Sequence, residues 1–390
     1  MHVLFVAGWY PTEDAPLEGV FIREHARAIA SFCQISVVFI QVKKVTTGGL
    51  FNIKVNRTQN DQVNEYRITI TTRIRKFGIH DYLIKRAYGN TIRLIEKNGP
   101  INICHINVRN HITRLIVHVE QIRKLPIVYS EHWSYYRIGI QKLSLTQRHN
   151  EIKELKKWFS MLNMKAVLPV SQDLGRILIN LGANPSQVSV VPNIANAAFS
   201  YNKTGPRNSS EIRILMVAIW QYPKNPLLFL KALKLLPLEI LERITVRIIG
   251  PGSQLEVMKE YVESNLLSGR IDFLGERNKT FIAKELNKAS FLVHPSDSEN
   301  LPCIILESLS CGVPVMSNQV GGIPELIHSG NGRLSPCGNV EKFKLNLLNM
   351  IENMQTFNRR EIARDASKQF SCKEVGKQIF NIYKSVSEES

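Results

Sequence analysis

Two glutamates eight residues apart, Glu299 and Glu307, bracket the apolar run in "SDSENLPCIILE" at residues 296–307. "SFLVHP" (290–295) precedes this run and "VPVMSN" (313–318) follows it, so the segment reads as strand, loop, helix, strand. Glu299 then stands in the loop at the carboxyl end of a strand, where open α/β sheets bind ligands. The helix begins near Pro302, a residue tolerated in a first turn, and stops at Gly312. Its free amides and positive dipole end suit a phosphate. Glu307 falls about a turn and a half inside the helix. Helical side chains lean toward the amino end, so its carboxylate can reach back to the same ligand. One carboxylate would address what lies beyond the phosphates, the other what lies before them.

Positioning such groups takes a regular scaffold, and the chain supplies the pattern of one. "HVLFVAG" (2–8), "QISVVFIQV" (34–42), "NICHIN" (102–107), "PIVYSEH" (126–132) and "AVLPVS" (166–171) read as strands. "FIREHARAIASF" (21–32) and "DYLIKRAYGNTIRLIEKNG" (81–99) read as helices. A polar stretch at 201–211 carries Gly, Pro and Ser and reads as a linker. The same rhythm resumes with "IRILMVA" (212–218), "ITVRIIG" (244–250) and "IDFLG" (271–275). The expected class is α/β with parallel βαβ units in two domains, residues 1–200 and 212–370. A terminal amphipathic helix at 371–390 shows apolar residues at Val375, Ile379, Ile382 and Tyr383.

Composition narrows the function classes. The chain has 390 residues, enough for two cores, and is 44% hydrophobic, which argues against wholesale disorder. The six cysteines show no metal-site spacing, consistent with free thiols in a reducing cytoplasm. No apolar stretch reaches membrane-spanning length, and "MHVLFVAGWYPTED" reads as a buried first strand rather than a leader. The net charge of +17 is uneven: residues 1–200 hold 26 Lys+Arg against 13 Asp+Glu, residues 201–390 hold 24 against 20. The basic half should meet an anionic partner. Nucleic acid is not expected, since the charge is diffuse and lacks a binding motif.

The pattern resembles the retaining GT-B glycosyltransferases of family 4, the glycosyl transferases group 1. The Glu-x7-Glu pair and "CGVPVMSNQVGGIPELIHSGNG" carry the resemblance, together with "YPTEDAPLEGVFIREHARAIA", "YSEHWSYY", "VVPNIANAAF", "PKNPLLFLKAL" and "IIGPGSQ". It implies two Rossmann-like domains facing across a cleft, with the terminal helix crossing back to the first. It implies a nucleoside-diphosphate-sugar donor, most simply a UDP- or GDP-sugar, and an acceptor hydroxyl on a lipid-linked or cell-surface polysaccharide precursor. Glu307 matches the residue that holds the ribose hydroxyls. Glu299 and His132 match the catalytic positions around the transferred sugar. Lys224 matches the cation on the leaving diphosphate. Gly19 and the backbone amides of Asn300 and Leu301 match further donor contacts. No DxD motif is present, so metal-independent chemistry without a cofactor is expected.

One position departs from the family. Many members place an arginine five residues before the lysine, whereas "VAIWQYPKN" puts Ile219 there. A non-catalytic sugar-nucleotide-binding homologue is one alternative reading, and a sugar-nucleotide epimerase of the same fold is another. Residues 73–97 carry Arg73, Arg75, Lys76, Lys85, Arg86, Arg93 and Lys97 among apolar residues. They read either as an anionic-membrane contact or as a core helix with a solvated basic face. The corresponding localisation is cytoplasmic, peripheral at the inner face of the plasma membrane.

Overall fold

The computed structural model describes residues 1–46, 49–73, 77–161, 163–202 and 211–388. It divides into two compact units: Met1–Pro192 with Cys372–Ser390, and Asn193–Ser371. The passage between them falls at Pro192, upstream of the polar stretch 201–211, of which residues 203–210 lie outside the described residues. Residues 193–195 belong with the second unit because their polar groups bond into it. Asn193 Nδ2 donates to Leu301 O at 2.8 Å, and Ala195 N to Phe370 O at 3.0 Å.

The first unit is built on seven strands: β1 (His2–Ala7), β2 (Gln34–Lys44), β3 (Phe51–Asn60), β4 (Val63–Thr72), β5 (Ile103–Asn107), β6 (Ile127–Glu131) and β7 (Met164–Pro169). They lie in the order β3-β4-β2-β1-β5-β6-β7, parallel except for the β3–β4 hairpin. β1 is buried throughout, as a central parallel strand flanked by helices must be. Helix Val20–Ala30 buries Ile22, Ala26 and Ile29 at the spacing of one helical face. The terminal helix Cys372–Glu388 packs on it. Gly376 permits the approach, since a Cβ there would stand 2.5 Å from Ala28 O. Tyr383 anchors this helix below the sheet, its hydroxyl 2.5 Å from His105 Nδ1, while His105 Nε2 meets Ser130 Oγ at 2.7 Å.

The second unit has six parallel strands: β8 (Ile212–Val217), β9 (Ile244–Ile249), β10 (Ile271–Gly275), β11 (Phe291–His294), β12 (Val315–Asn318) and β13 (Gly332–Ser335). Their order, β10-β9-β8-β11-β12-β13, is that of a doubly wound Rossmann sheet. The order reverses between β8 and β11, so the carboxyl ends of those two strands form the switch point where such sheets take ligands.

The basic segment in the first unit has become the helix Phe77–Glu96. It buries Leu83, Ile84, Ala87, Tyr88, Ile92 and Ile95 and exposes Arg86 and Arg93. Its core-facing side is therefore in place, and Arg75 and Lys76 lie outside the described residues. Among the described residues no helix is long and apolar enough to cross a membrane.

Candidate functional site

The switch point of the second unit gathers Lys224, Glu299 and His294. Two loops meet there. The loop after β8 is fixed to the loop after β11 by backbone bonds: Asn225 N to Pro295 O at 3.1 Å, and Asp297 N to Pro223 O at 2.9 Å. Lys224 and Ser296 form an isolated antiparallel bridge. Asn225 caps the helix Pro226–Lys234 through Leu228 N and also donates to both oxygens of Asp297. These bonds leave Lys224 Nζ against Glu299 Oε1, a direct ion pair between side chains only 20% and 12% exposed.

His294, the last residue of β11, donates from Nε2 to the same Glu299 oxygen at 2.8 Å. Burial alone would raise the Glu299 carboxyl. The Lys224 ammonium, together with the His294 hydrogen bond, outweighs it and holds the group at about 2. Glu299 is therefore a carboxylate across the neutral range. Burial and the neighbouring Lys224 charge lower His294, which keeps its ring neutral there.

The helix after this loop runs from Cys303 to Ser310 with Pro302 at its N-cap. Glu307 is its fifth residue and half-buried. It lies one turn from Cys303 and one turn from Cys311, and both thiols are pushed up to about 12, by burial first and by Glu307 second. Asn300 and Leu301 hold their place by carbonyl contacts, Asn300 O accepting from Gly322 N at 2.9 Å and Leu301 O from Asn193.

Gly19 and His132 belong to the first unit. Gly19 caps helix Val20–Ala30 with φ +64°, and a Cβ on it would stand 2.6 Å from the carbonyl of Trp9. The close backbone approach alone demands glycine. His132 follows β6, its ring 4.7 Å from that of Phe21 and 5.2 Å from that of His25. Gly19 and His132 thus share a neighbourhood through the first turn of one helix.

Two contributors were not singled out from sequence. One is His294, hidden at the end of a continuous apolar strand. The other is Glu131, which turns under its own loop. Its carboxylate accepts from His132 N and Trp133 N, both at 2.8 Å, from Tyr136 Oη at 2.7 Å, from Arg109 N at 3.3 Å and from Tyr129 Oη. Burial pushes this group up against the pull of those donors. Glu131 therefore sets the path of the loop that carries His132. Its place beside a strand-end histidine was the only signal available in the sequence.

Residues 200–370 match the family model "Glycosyl transferases group 1", and residues 20–199 match "Glycosyltransferase Family 4". The chain belongs to the group 1 glycosyltransferase family. It is 31% identical over 144 residues to an uncharacterized glycosyltransferase of Methanocaldococcus jannaschii, covering 36% of this chain and 41% of that protein. It is 30% identical over 175 residues to the O-antigen chain mannosyltransferase B of Escherichia coli, covering 44% and 45%. The chain thus spans less than half the length of these curated relatives.

Among solved structures, Anabaena HepE in complex with UDP superposes with a TM-score of 0.72 at 15% identity, over 99% of this chain and 100% of that one. Sucrose-phosphate synthase of Thermosynechococcus elongatus gives 0.73 at 15%, over 100% of both. At such identities the likeness is one of GT-B fold. Within this family member, Ile219 is 44% exposed just past the end of β8, five residues before Lys224.

Proposed function

We propose that the protein is a retaining glycosyltransferase that moves a sugar from a nucleoside-diphosphate donor to the hydroxyl of a lipid-linked or cell-surface polysaccharide precursor. The observation that carries this reading is the Lys224–Glu299–His294 cluster at the switch point of the second sheet, in a chain of this family. Relatives support the substrate classes: HepE is solved with UDP-glucose, and an O-antigen mannosyltransferase is among the matched proteins.

In the proposed reaction the bond from C1 to the diphosphate oxygen breaks and a bond from the acceptor oxygen to C1 forms on the same face. The acceptor proton passes to the departing phosphate oxygen. Charge accumulates on the diphosphate and at C1, so the protein acts mainly by electrostatics and positioning. Lys224 neutralises the diphosphate, assisted by the amino end of helix Cys303–Ser310 and the amides of Asn300 and Leu301. Glu299, held ionised, cannot donate a proton near neutral pH. It accepts hydrogen bonds from the sugar hydroxyls and stabilises positive charge at C1. Glu307 accepts from the ribose diol. No divalent cation is required, and turnover in excess EDTA tests that point. The reaction takes place on the cytoplasmic side of an anionic membrane.

The test begins with thermal shift against UDP, GDP, ADP and TDP. A nucleotide at about 100 times its Kd adds about 2.7 kcal/mol. The preferred donor is then supplied with lipid-linked acceptors, and the product anomer is read by proton NMR. An inverted product would overturn the retaining assignment. Nucleotide binding without turnover on any acceptor would favour the non-catalytic reading, which the apolar Ile219 motivates.

A further inference from the structure

The first unit contains a cavity of about 510 Å³, lined in part by Pro11, Pro16 and Arg23 on either side of Gly19. It lies over β2, β4 and β3, closed by the loop after β1 and by Arg23. The odd-numbered face of β2 begins as core, with Ile35 and Val37 buried, and continues into the cavity as Phe39, Gln41 and Lys43. Register extends that face across three strands. Phe39 pairs with Arg67 and Arg67 with Asn56, while Gln41 pairs with Thr69. Directly paired residues put their side chains on one face, so an aromatic ring, amides, a hydroxyl and a guanidinium form a single floor. The opposite face of the same strands is apolar, with Val38, Ile40, Ile68 and Ile70 buried. The polar floor is therefore a feature of this face and not of the hairpin as a whole.

Of the charged groups that line the cavity, Arg67, Lys43 and Asp14 are paired, Glu13 is exposed at the rim, and Arg23 is left. Arg67 donates to Glu65 Oε2 at 2.9 Å and to Pro11 O at 2.6 Å, and Tyr10 donates to Glu65 Oε1 at 2.7 Å. At the exposed rim, Lys43 is paired with Asp14 at 2.8 Å. Arg23, from the first turn of helix Val20–Ala30, also lines the cavity. Its Nε is buried and makes no hydrogen bond, and no ion pair is formed by Arg23 among the described residues. A buried guanidinium nitrogen without an acceptor is costly, and an anion entering the cavity would satisfy it. Amides and a hydroxyl beside an aromatic ring are the groups that recognise sugar hydroxyls and a ring face, and the volume is that of a small-ligand site.

We propose that this cavity binds an acidic saccharide, the acceptor of the transfer reaction, with its carboxylate or phosphate ester on Arg23 and its hydroxyls on Gln41, Asn56 and Thr69. The assignment of the saccharide as acceptor rests on the glycosyltransferase reading; the binding site itself does not.

The test is saturation-transfer NMR and calorimetry on the full chain with methyl glucoside, glucuronate, galacturonate, glucose 6-phosphate and inorganic phosphate. Acidic sugars are expected to bind at least about tenfold tighter than methyl glucoside, the worth of a charge-assisted hydrogen bond. The uronates and the sugar phosphate separate the two sources of the anion. Arg23→Gln should abolish the acidic preference and leave UDP affinity unchanged. Asn56→Asp, on the exposed hairpin, should weaken acidic sugars by repulsion without touching the core. Equal binding of neutral and acidic sugars would overturn the proposal, as would binding of free phosphate as tight as that of the sugar acids. Acidic-sugar binding without UDP binding would leave the cavity assigned and remove the donor reading; UDP binding with no sugar binding would do the reverse.

Discussion

Replacing Lys224 by Met should destabilise the second unit in a way that depends on pH. Glu299 falls from 4.5 to about 2 on folding, although its burial acts in the opposite direction. At about 1.36 kcal/mol per pKa unit, that fall corresponds to about 3 kcal/mol. Lys224 is the largest of the influences lowering it, ahead of His294. A group depressed in the folded state stabilises above its unfolded value and loses that contribution as pH falls through the folded one. Wild type should therefore hold about 3 kcal/mol from this carboxylate near neutral pH and lose it between about 4.5 and 2. In Lys224→Met the buried carboxylate has lost its main counter-charge, and breaking such a pair costs about 3–5 kcal/mol. The difference between the two proteins should be largest near neutrality and shrink as acid protonates Glu299 in both. Urea unfolding can follow Trp220, which is fully buried in this unit, after Trp9, Trp133 and Trp158 are changed to Phe. Lys224→Met in a Glu299→Gln background should cost far less than in wild type. A difference that stays constant from neutral pH to about pH 3, or a coupling below about 0.5 kcal/mol, would refute the pairing argument.

Glu307→Ala should weaken nucleotide binding by about 1.5–3 kcal/mol, as expected for hydrogen bonds to a charged group, without unfolding the helix; calorimetry with the preferred nucleoside diphosphate measures it. Ile219→Arg restores the cation that many family members carry and should tighten diphosphate binding by a similar amount, with no gain for the nucleoside alone. Glu131→Gln replaces an acceptor surrounded by donors with a group that is itself partly a donor. It should cost the first unit about 1–3 kcal/mol and speed hydrogen exchange in residues 132–144, while exchange in β8 and β9 stays unchanged.

Much of the architecture was legible because parallel strands buried on both faces leave uninterrupted apolar runs between helical patterns. "HVLFVAG" and "IRILMVA" became β1 and β8 almost to the residue. The β3–β4 hairpin was not legible. β3 is an edge strand with nine of its ten residues exposed, so "FNIKVNRTQN" shows no buried face. Its turn uses Asp61 and Gln62 at φ 47° and 66°, with no Asn-Gly or Asp-Gly signal. The strand that builds the polar cavity was hidden by the same exposure that makes the cavity accessible.

Within the site, types and spacing gave the carboxylates and the family resemblance gave the lysine, as separate expectations, and only the fold makes two of them a pair. Lys224 and Glu299 are 75 residues apart and meet because β8 and β11 are neighbours at the point where strand order reverses. The "VGG" turn shows why a motif can be readable before its reason is. A Cβ on Gly321 would stand 1.8 Å from Glu299 O, and Gly321 has φ +57°. Gly322 N donates to Asn300 O. The glycines let a second turn press against the backbone of the glutamate loop and close its conformation. The Lys224 ion pair and the His294 hydrogen bond both hold Oε1 of Glu299, and the glycine turn fixes its main chain. Two of these three contributors are distant in sequence, and His294 is only five residues from Glu299. A change at any of them should act on the carboxylate first and on global stability second.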